Sequence, residues 1–180
     1  NRTVPGLRLP NIGRLRSEGA TLLNAFSNCP ICMPTRFSWC HGLYPSQAAS
    51  GLMENWHKWP THLKAMPAAV REAGYHTALV GKLHAQGCWG NDLTDEKFVR
   101  EVQTVRGYDH AFETCGKSFA YWVDCHWTYH LAERGLLDRY REDLKRRVEQ
   151  LGGDEPSDAS FLSAGDSMDG FIGRHARQWL

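Results

Sequence analysis

Residues 28–42 read NCPICMPTRFSWCHG and bring Cys29, Cys32 and Cys40 together with His41, two prolines and Arg36. Thiols this close can bind a metal, cycle as a redox pair, staple a loop or be chemically modified. Cys29 and Cys32 have the first spacing of a zinc site, with Cys40 and His41 to complete four ligands. Adjacent Cys40 and His41 are, however, an awkward pair for one tetrahedral ion, and Pro30 and Pro34 stiffen the turn. Cys29-Pro30-Ile31-Cys32 also has the form of a dithiol that closes a strand and opens a helix. A helix starting at Cys29 would hold Pro34 inside it and lose a hydrogen bond there. Small buried residues without chemistry are the plain alternative. A second pair stands at Lys82 and His84, two residues apart and so able to face one side of an extended segment. Taken alone, Lys82 reads as a solvated strand-end lysine and His84 as a satisfied loop histidine.

The elements around these residues point to an α/β arrangement. Pro10 to Glu18 predicts a short helix with Ile12 and Leu15 inward, closed by Gly19. Thr21 to Phe26 has strand character and leads into the cysteines. A helix is expected from Thr35 to His41, with Pro34 near its start, where a missing N–H costs nothing, and Gly42 and Pro45 ending it. Leu63, Met66, Val70 and Ala73 follow helical spacing, with Gly74 at the C′ position. The run YHTALVG then predicts a buried strand. Helix, glycine, buried strand is an α/β signature, and ligands of open α/β sheets bind beyond the carboxyl ends of the strands. Lys82 and His84 fall at that place.

Farther along, Gly87 to Asp95 reads as loop. The aromatic residues from Tyr121 to Tyr129 read as core or pocket wall. Leu137, Tyr140, Leu144, Val148 and Leu151 form a helical stripe, which Gly135 separates from an earlier helix. Residues 152–160 read as a linker or exposed loop. Asp166 is expected to cap a last helix with Met168, Ile172, Ala176 and Trp179 on one face. One clear strand and one or two weak ones are too few for a doubly wound sheet, so the chain reads as a piece of something larger.

Composition narrows the function classes. The chain has 180 residues, net charge +1 and six cysteines. That length suffices for one domain with a real core, without disulfide staples. Lys145, Arg146 and Arg147 are interleaved with Glu142, Asp143 and Glu149, which predicts a solvated helix face and no nucleic-acid partner. No apolar run reaches the roughly 18 residues of a membrane span. The first residue is Asn1, so a leader removed or left out stays open, as does a cytoplasmic against a periplasmic or secreted location.

The register CMPTR at 32–36 resembles the C-x-P-x-R signature of type I sulfatases, of the alkaline-phosphatase-like superfamily. LPNIGRLRSEGATLLNAFSNCPIC, GLYPSQ, GYHTALVGKLH and DGFIGRHARQWL resemble further landmarks of that family, in the same order. The likeness runs from about Leu9 to the end, sharpest at 32–36 and 81–84 and looser between 88 and 128. Two departures stand out. Cys40-His41-Gly42 replaces the usual leucine-threonine-glycine, which bears on maturation, and Gly13 replaces a common aspartate.

The resemblance implies an alkaline-phosphatase-like α/β fold, with residues 1–180 as the N-terminal part of the catalytic domain and an incomplete sheet. It implies a sulfuric ester hydrolase in which Cys32 is oxidised to formylglycine by a formylglycine-generating enzyme. One hydroxyl of the hydrated aldehyde attacks sulfur, and loss of a proton from the other ejects sulfate. Arg36 would hold the diol, Lys82 would contact the sulfate, and His84 would stand beside the diol. A divalent cation, calcium by expectation, would be bound by position 32 and by carboxylate and amide ligands outside this chain. The chain by itself is then expected to be inactive. The substrate would be a small-molecule or saccharide sulfate ester. Two alternatives remain: a phosphonate or phosphate monoester hydrolase of the same superfamily, and a zinc or redox module on Cys29, Cys32 and Cys40.

Overall fold

A computed structural model describes residues 8–48, 54–88, 90–150 and 160–180. At its centre, β1 (Ala78–Gly81) pairs in parallel with β2 (His110–Glu113), placing Gly81 opposite Glu113. Between them runs α4 (Glu96–Thr104), started by Asp95, whose carboxylate accepts from the Lys97 N–H at 2.8 Å. A parallel pair needs such a crossover. Successive residues of β2 face opposite layers. Ala111 packs on the cluster of Met33, Phe37, Trp59, Leu79 and Val102, whereas Phe112 stacks on His175 and lies tilted against Phe171, both of α7 (Met168–Trp179). Helices therefore cover both faces of a small parallel sheet, as the α/β reading expected.

On the first side lie α2 (Cys32–His41) and α3 (Met66–Glu72), with Met33 and Phe37 fully buried. On the other, α5 (His126–Glu133) packs against α6 (Leu137–Gln150), and a second core forms around Trp127, Leu131, Val123 and Met168. The expected glycine stops hold. Gly42 at φ 67 ends α2, its N–H donating to the Ser38 carbonyl, and Gly74 at φ 92 stands just past Ala73, the C-cap of α3.

Several expectations are corrected. Helix α2 begins at Cys32, not Thr35, because Pro34 fits its first turn, where no intrahelical N–H is needed. The first helix, α1 (Pro10–Glu18), forms but buries nothing: Ile12 and Leu15 are exposed, since no described element covers that face. Thr21 to Phe26 is not a strand, because no described strand lies beside it to pair its backbone, and Leu22, Leu23 and Phe26 are exposed. Helix α3 starts only at Met66, leaving Leu63 in the preceding loop and Met66 exposed, and it buries Pro67 instead. Ser167, not Asp166, caps α7 by accepting from the Gly170 N–H. Asp166 is engaged by Ser163, His130 and Arg134. Within the expected stripe of α6, Leu144 is buried; Leu151 and most of the 152–160 loop lie outside the described residues.

Candidate active site

Cys32 is exposed at the first position of α2, while Cys29 is buried just ahead of it. Ile31, the residue before the helix, has no side chain able to cap it. The Met33 N–H instead donates to Asn55 Oδ1 at 2.9 Å. Thr35 turns back, its hydroxyl donating to the Cys29 carbonyl and meeting Ser27 Oγ at 2.8 Å. The approach to Cys32 is thus fixed by local hydrogen bonds, with the thiol left in the open at a helix N-terminus, a place that favours negative charge.

One turn along α2, Arg36 donates through Nη1 to the Lys82 carbonyl. This contact brings the CMPTR segment to the loop leaving β1. The loop is held at every residue from Lys82 to Ala85. The Leu83 and His84 N–H groups donate to Glu113 Oε1 at 3.2 and 2.7 Å, and the Ala85 carbonyl accepts from the Trp59 N–H at 2.9 Å. Trp59 is itself braced by buried Arg106, which donates to the Trp59 and Pro60 carbonyls and pairs with Glu101. These ties hold His84 at φ 58, a left-handed conformation that costs a non-glycine residue on the order of 1 kcal/mol. Local strain of this kind survives only where surrounding contacts over-determine it.

The electrostatics follow from burial and from two cations. His84 is buried, and its pKa falls from 6.5 to about 4 because desolvation penalises the charged ring and Lys82 and Arg36 repel it. It is neutral at pH 7, and its Nδ1 has no hydrogen-bond partner among the described residues. Beneath the loop, Glu113 is pushed up from 4.5 to about 7 by desolvation, against the N–H groups of His84 and Leu83 and the charge of Arg36. The Lys82 ammonium lies 5.2 Å from the centre of the Phe119 ring. Gly116 leaves room for it, since a Cβ there would come within 3.3 Å of Nζ.

Of the four residues singled out by sequence, Arg36 bonds to the Lys82 carbonyl, both cations lie near enough to His84 to repel its charge, and Cys32 stands on the same helix one turn from Arg36. Glu113, Asn55 and Phe119 were not singled out. Glu113 could have been found only by recognising β2, and Asn55 joins through long-range contacts with no local signature. The other grouping does not assemble: among the described residues no three His, Cys, Asp or Glu side chains gather as a metal site, so Cys29, Cys32, Cys40 and His41 do not form a zinc centre. Buried Cys29 and exposed Cys32 are both free thiols. A cleft of about 240 Å³ lies elsewhere, between Lys117, Trp127, Tyr140 and Met168. It contains none of the four residues, and the convergence of charge marks the region of Cys32 to His84 as the candidate site. No helix among the described residues is long and apolar enough to cross a membrane.

Comparison with known proteins bears on the family of the chain. The profile of the Sulfatase family matches residues 4–169. A choline-sulfatase of Rhizobium meliloti is 32% identical over 81 residues, covering 45% of this chain and 15% of that protein. The human steryl-sulfatase is 31% identical over 96 residues, covering 47% and 15%. Arylsulfatase K of Rattus norvegicus is 35% identical over 101 residues, covering 53% and 17%. The chain thus matches only 15–17% of the length of these relatives.

Proposed function

The chain belongs to the sulfatase family, with its alkaline-phosphatase-like α/β fold, and we propose that it is part of the catalytic domain of a sulfuric ester hydrolase whose nucleophile is made from Cys32. The observation that carries this reading is the bond from Arg36 to the Lys82 carbonyl, which ties the CMPTR helix to the loop of Lys82 and His84. Position 32 fits a formylglycine. Its side chain is exposed for a modifying enzyme, it heads a helix, and a proline and an arginine follow at the required offsets. When present, the hydrated aldehyde supplies a nucleophile that can be regenerated.

The chain's own residues then have separable tasks. Lys82 offers a positive charge to the anionic oxygens of the ester, held against Phe119 so that it need not reorganise. Arg36 uses one donor on the loop carbonyl and has further donors in its guanidinium fork with which to hold the hydrated aldehyde. His84 is neutral at pH 7, and its Nδ1, unpartnered among the described residues, can take a hydrogen bond in the assembled site without adding charge. Glu113 positions His84 by accepting its backbone N–H.

A divalent cation is expected of this family, but the described residues do not gather a donor set for one beyond position 32. The 180 residues on their own are proposed to be inactive, since the described sheet has only two strands. The substrate class is a small-molecule or saccharide sulfate ester, and a formylglycine-generating enzyme or equivalent maturase is the required partner.

Turnover of matched aryl sulfate and aryl phosphate esters by the complete, aldehyde-bearing protein tests the assignment. Sulfate ester turnover that is lost in Cys32→Ala is expected. Preference for the phosphate or phosphonate ester would favour the other hydrolase branch of the superfamily.

A further inference from the structure

Three buried thiols lie apart from the chemistry proposed above: Cys88, Cys115 and Cys125, all in the core shared with Trp127 and Leu131. Cys115 follows β2, and Cys125 immediately precedes α5. Their sulfurs are 3.5 Å apart, with 2% and 0% of the two residues exposed. Between them the chain makes a 3₁₀ turn (Ser118–Tyr121) that carries Phe119, whose ring packs beneath the Lys82 ammonium and 6.0 Å from the His84 ring. Gly116, beside Lys82 Nζ, belongs to the same segment.

We infer that Cys115 and Cys125 are a dithiol that closes to an intrachain disulfide, with a low-molecular-weight or protein disulfide as oxidant, and so ties down the segment bearing Phe119. The sulfurs are in non-bonded contact at 3.5 Å, and a bond of about 2.0 Å closes a gap of about 1.5 Å between them. Cys125 is the better nucleophile. Its thiol is pushed down by the Cys115 S–H and by backbone N–H groups at the start of α5, whereas Cys115 is pushed up. The Cys125 thiolate attacks the external disulfide RSSR, forming Cys125–S–SR and releasing RS⁻, which takes up the proton that Cys125 lost. The Cys115 thiolate then attacks the Cys125 sulfur and expels the second RS⁻, which takes up the second proton. Two protein thiols are oxidised and RSSR is reduced to two RSH. Because both sulfurs are buried, the exchange proceeds through opening of the 115–125 segment, and it is slow compared with exchange at exposed Cys32.

The full chain is incubated to equilibrium in a series of oxidised-to-reduced glutathione buffers, quenched by alkylation and digested with trypsin without reduction. Peptide 107–117 joined to peptide 118–134 is expected at the oxidising end, with Cys88 in peptide 83–97 still alkylated. Alkylation of both Cys115 and Cys125 in the most oxidising buffer overturns the inference, as does preferential linkage of Cys88 to either. The Cys88→Ser variant leaves the pair intact and should give the same linked peptides, whether or not Cys115→Ser folds. Absence of the link in Cys88→Ser would show that the bond depends on the third thiol and would also overturn the inference.

Discussion

His84 and Lys82 show how much of this site's chemistry is set by a few ångströms of surroundings. Both were conspicuous in GKLH, but the sequence could not say that His84 is buried neutral or that Lys82 rests on Phe119. In the complete enzyme, Lys82→Ala and His84→Asn should each lower kcat/KM by about a hundredfold, as for a lost charge or hydrogen-bond partner. Asn is the better substitute at 84 because it tolerates the left-handed backbone. Steady-state kinetics on a sulfate ester check this, and near-normal values in Lys82→Ala would remove its role toward the ester. Glu113 and His84 also give opposite pH signatures. Glu113 holds its proton in the fold up to about pH 7 against 4.5 unfolded. Its contribution to stability is therefore complete below pH 4.5 and lost as pH rises through 7. His84, at about 4 folded against 6.5 unfolded, contributes fully above pH 6.5 and loses that contribution as pH falls through 4. Glu113→Gln keeps an acceptor for the loop N–H groups but removes the first effect. Relative to wild type it should gain on the order of 2 kcal/mol between about pH 5 and about pH 8, since one pKa unit corresponds to about 1.4 kcal/mol. Urea unfolding at the two pH values measures it, and a difference independent of pH would contradict the buried, protonated carboxyl.

Among the elements, those with a strong local signal were legible and those made by pairing were not. The apolar run ending at Gly81 announced β1, and Pro34, Gly42 and Gly74 punctuated α2 and α3 much as expected. His110-Ala111-Phe112-Glu113 lacks β-branched residues and becomes a strand because β1 lies alongside and layers cover both faces. Missing β2 meant missing Glu113, the acceptor that holds the loop of Lys82 and His84. Thr21 to Phe26 failed in the opposite way: its composition suits a strand, but no described strand lies beside it. The link from α4 to β2 gives a sharp test of packing. Gly107 has φ +84, and a Cβ there would lie 2.3 Å from the Ala68 Cα on α3. Gly107→Ala must therefore either strain the turn or push α3 away, at a cost of about 2 kcal/mol or more. Thermal unfolding of the variant checks it, and an unchanged midpoint would mean that α3 and the turn are not in this contact.

At the scale of the whole molecule, the described residues supply an exposed Cys32 at the head of α2, two cations and a buried histidine around a two-stranded sheet. Exposed Leu22, Leu23 and Phe26, and an α1 that buries nothing, indicate apolar surface with no cover among the described residues. The 180-residue chain carrying the aldehyde should accordingly show no turnover of an activated aryl sulfate in the presence of calcium. Activity that follows its monomer peak on size exclusion would show that these residues suffice. The proposed chemistry rests on Cys32, which CMPTR marks out in the sequence and α2 presents at its exposed first position. The direct measurement is peptide mass spectrometry, with an aldehyde-reactive probe, on the chain co-expressed with a formylglycine-generating enzyme. An aldehyde is expected at position 32 and an unmodified thiol at Cys29, which lacks the proline and arginine at the right offsets. A free thiol at Cys32 throughout, under conditions in which the modifying enzyme converts a control substrate, would contradict it.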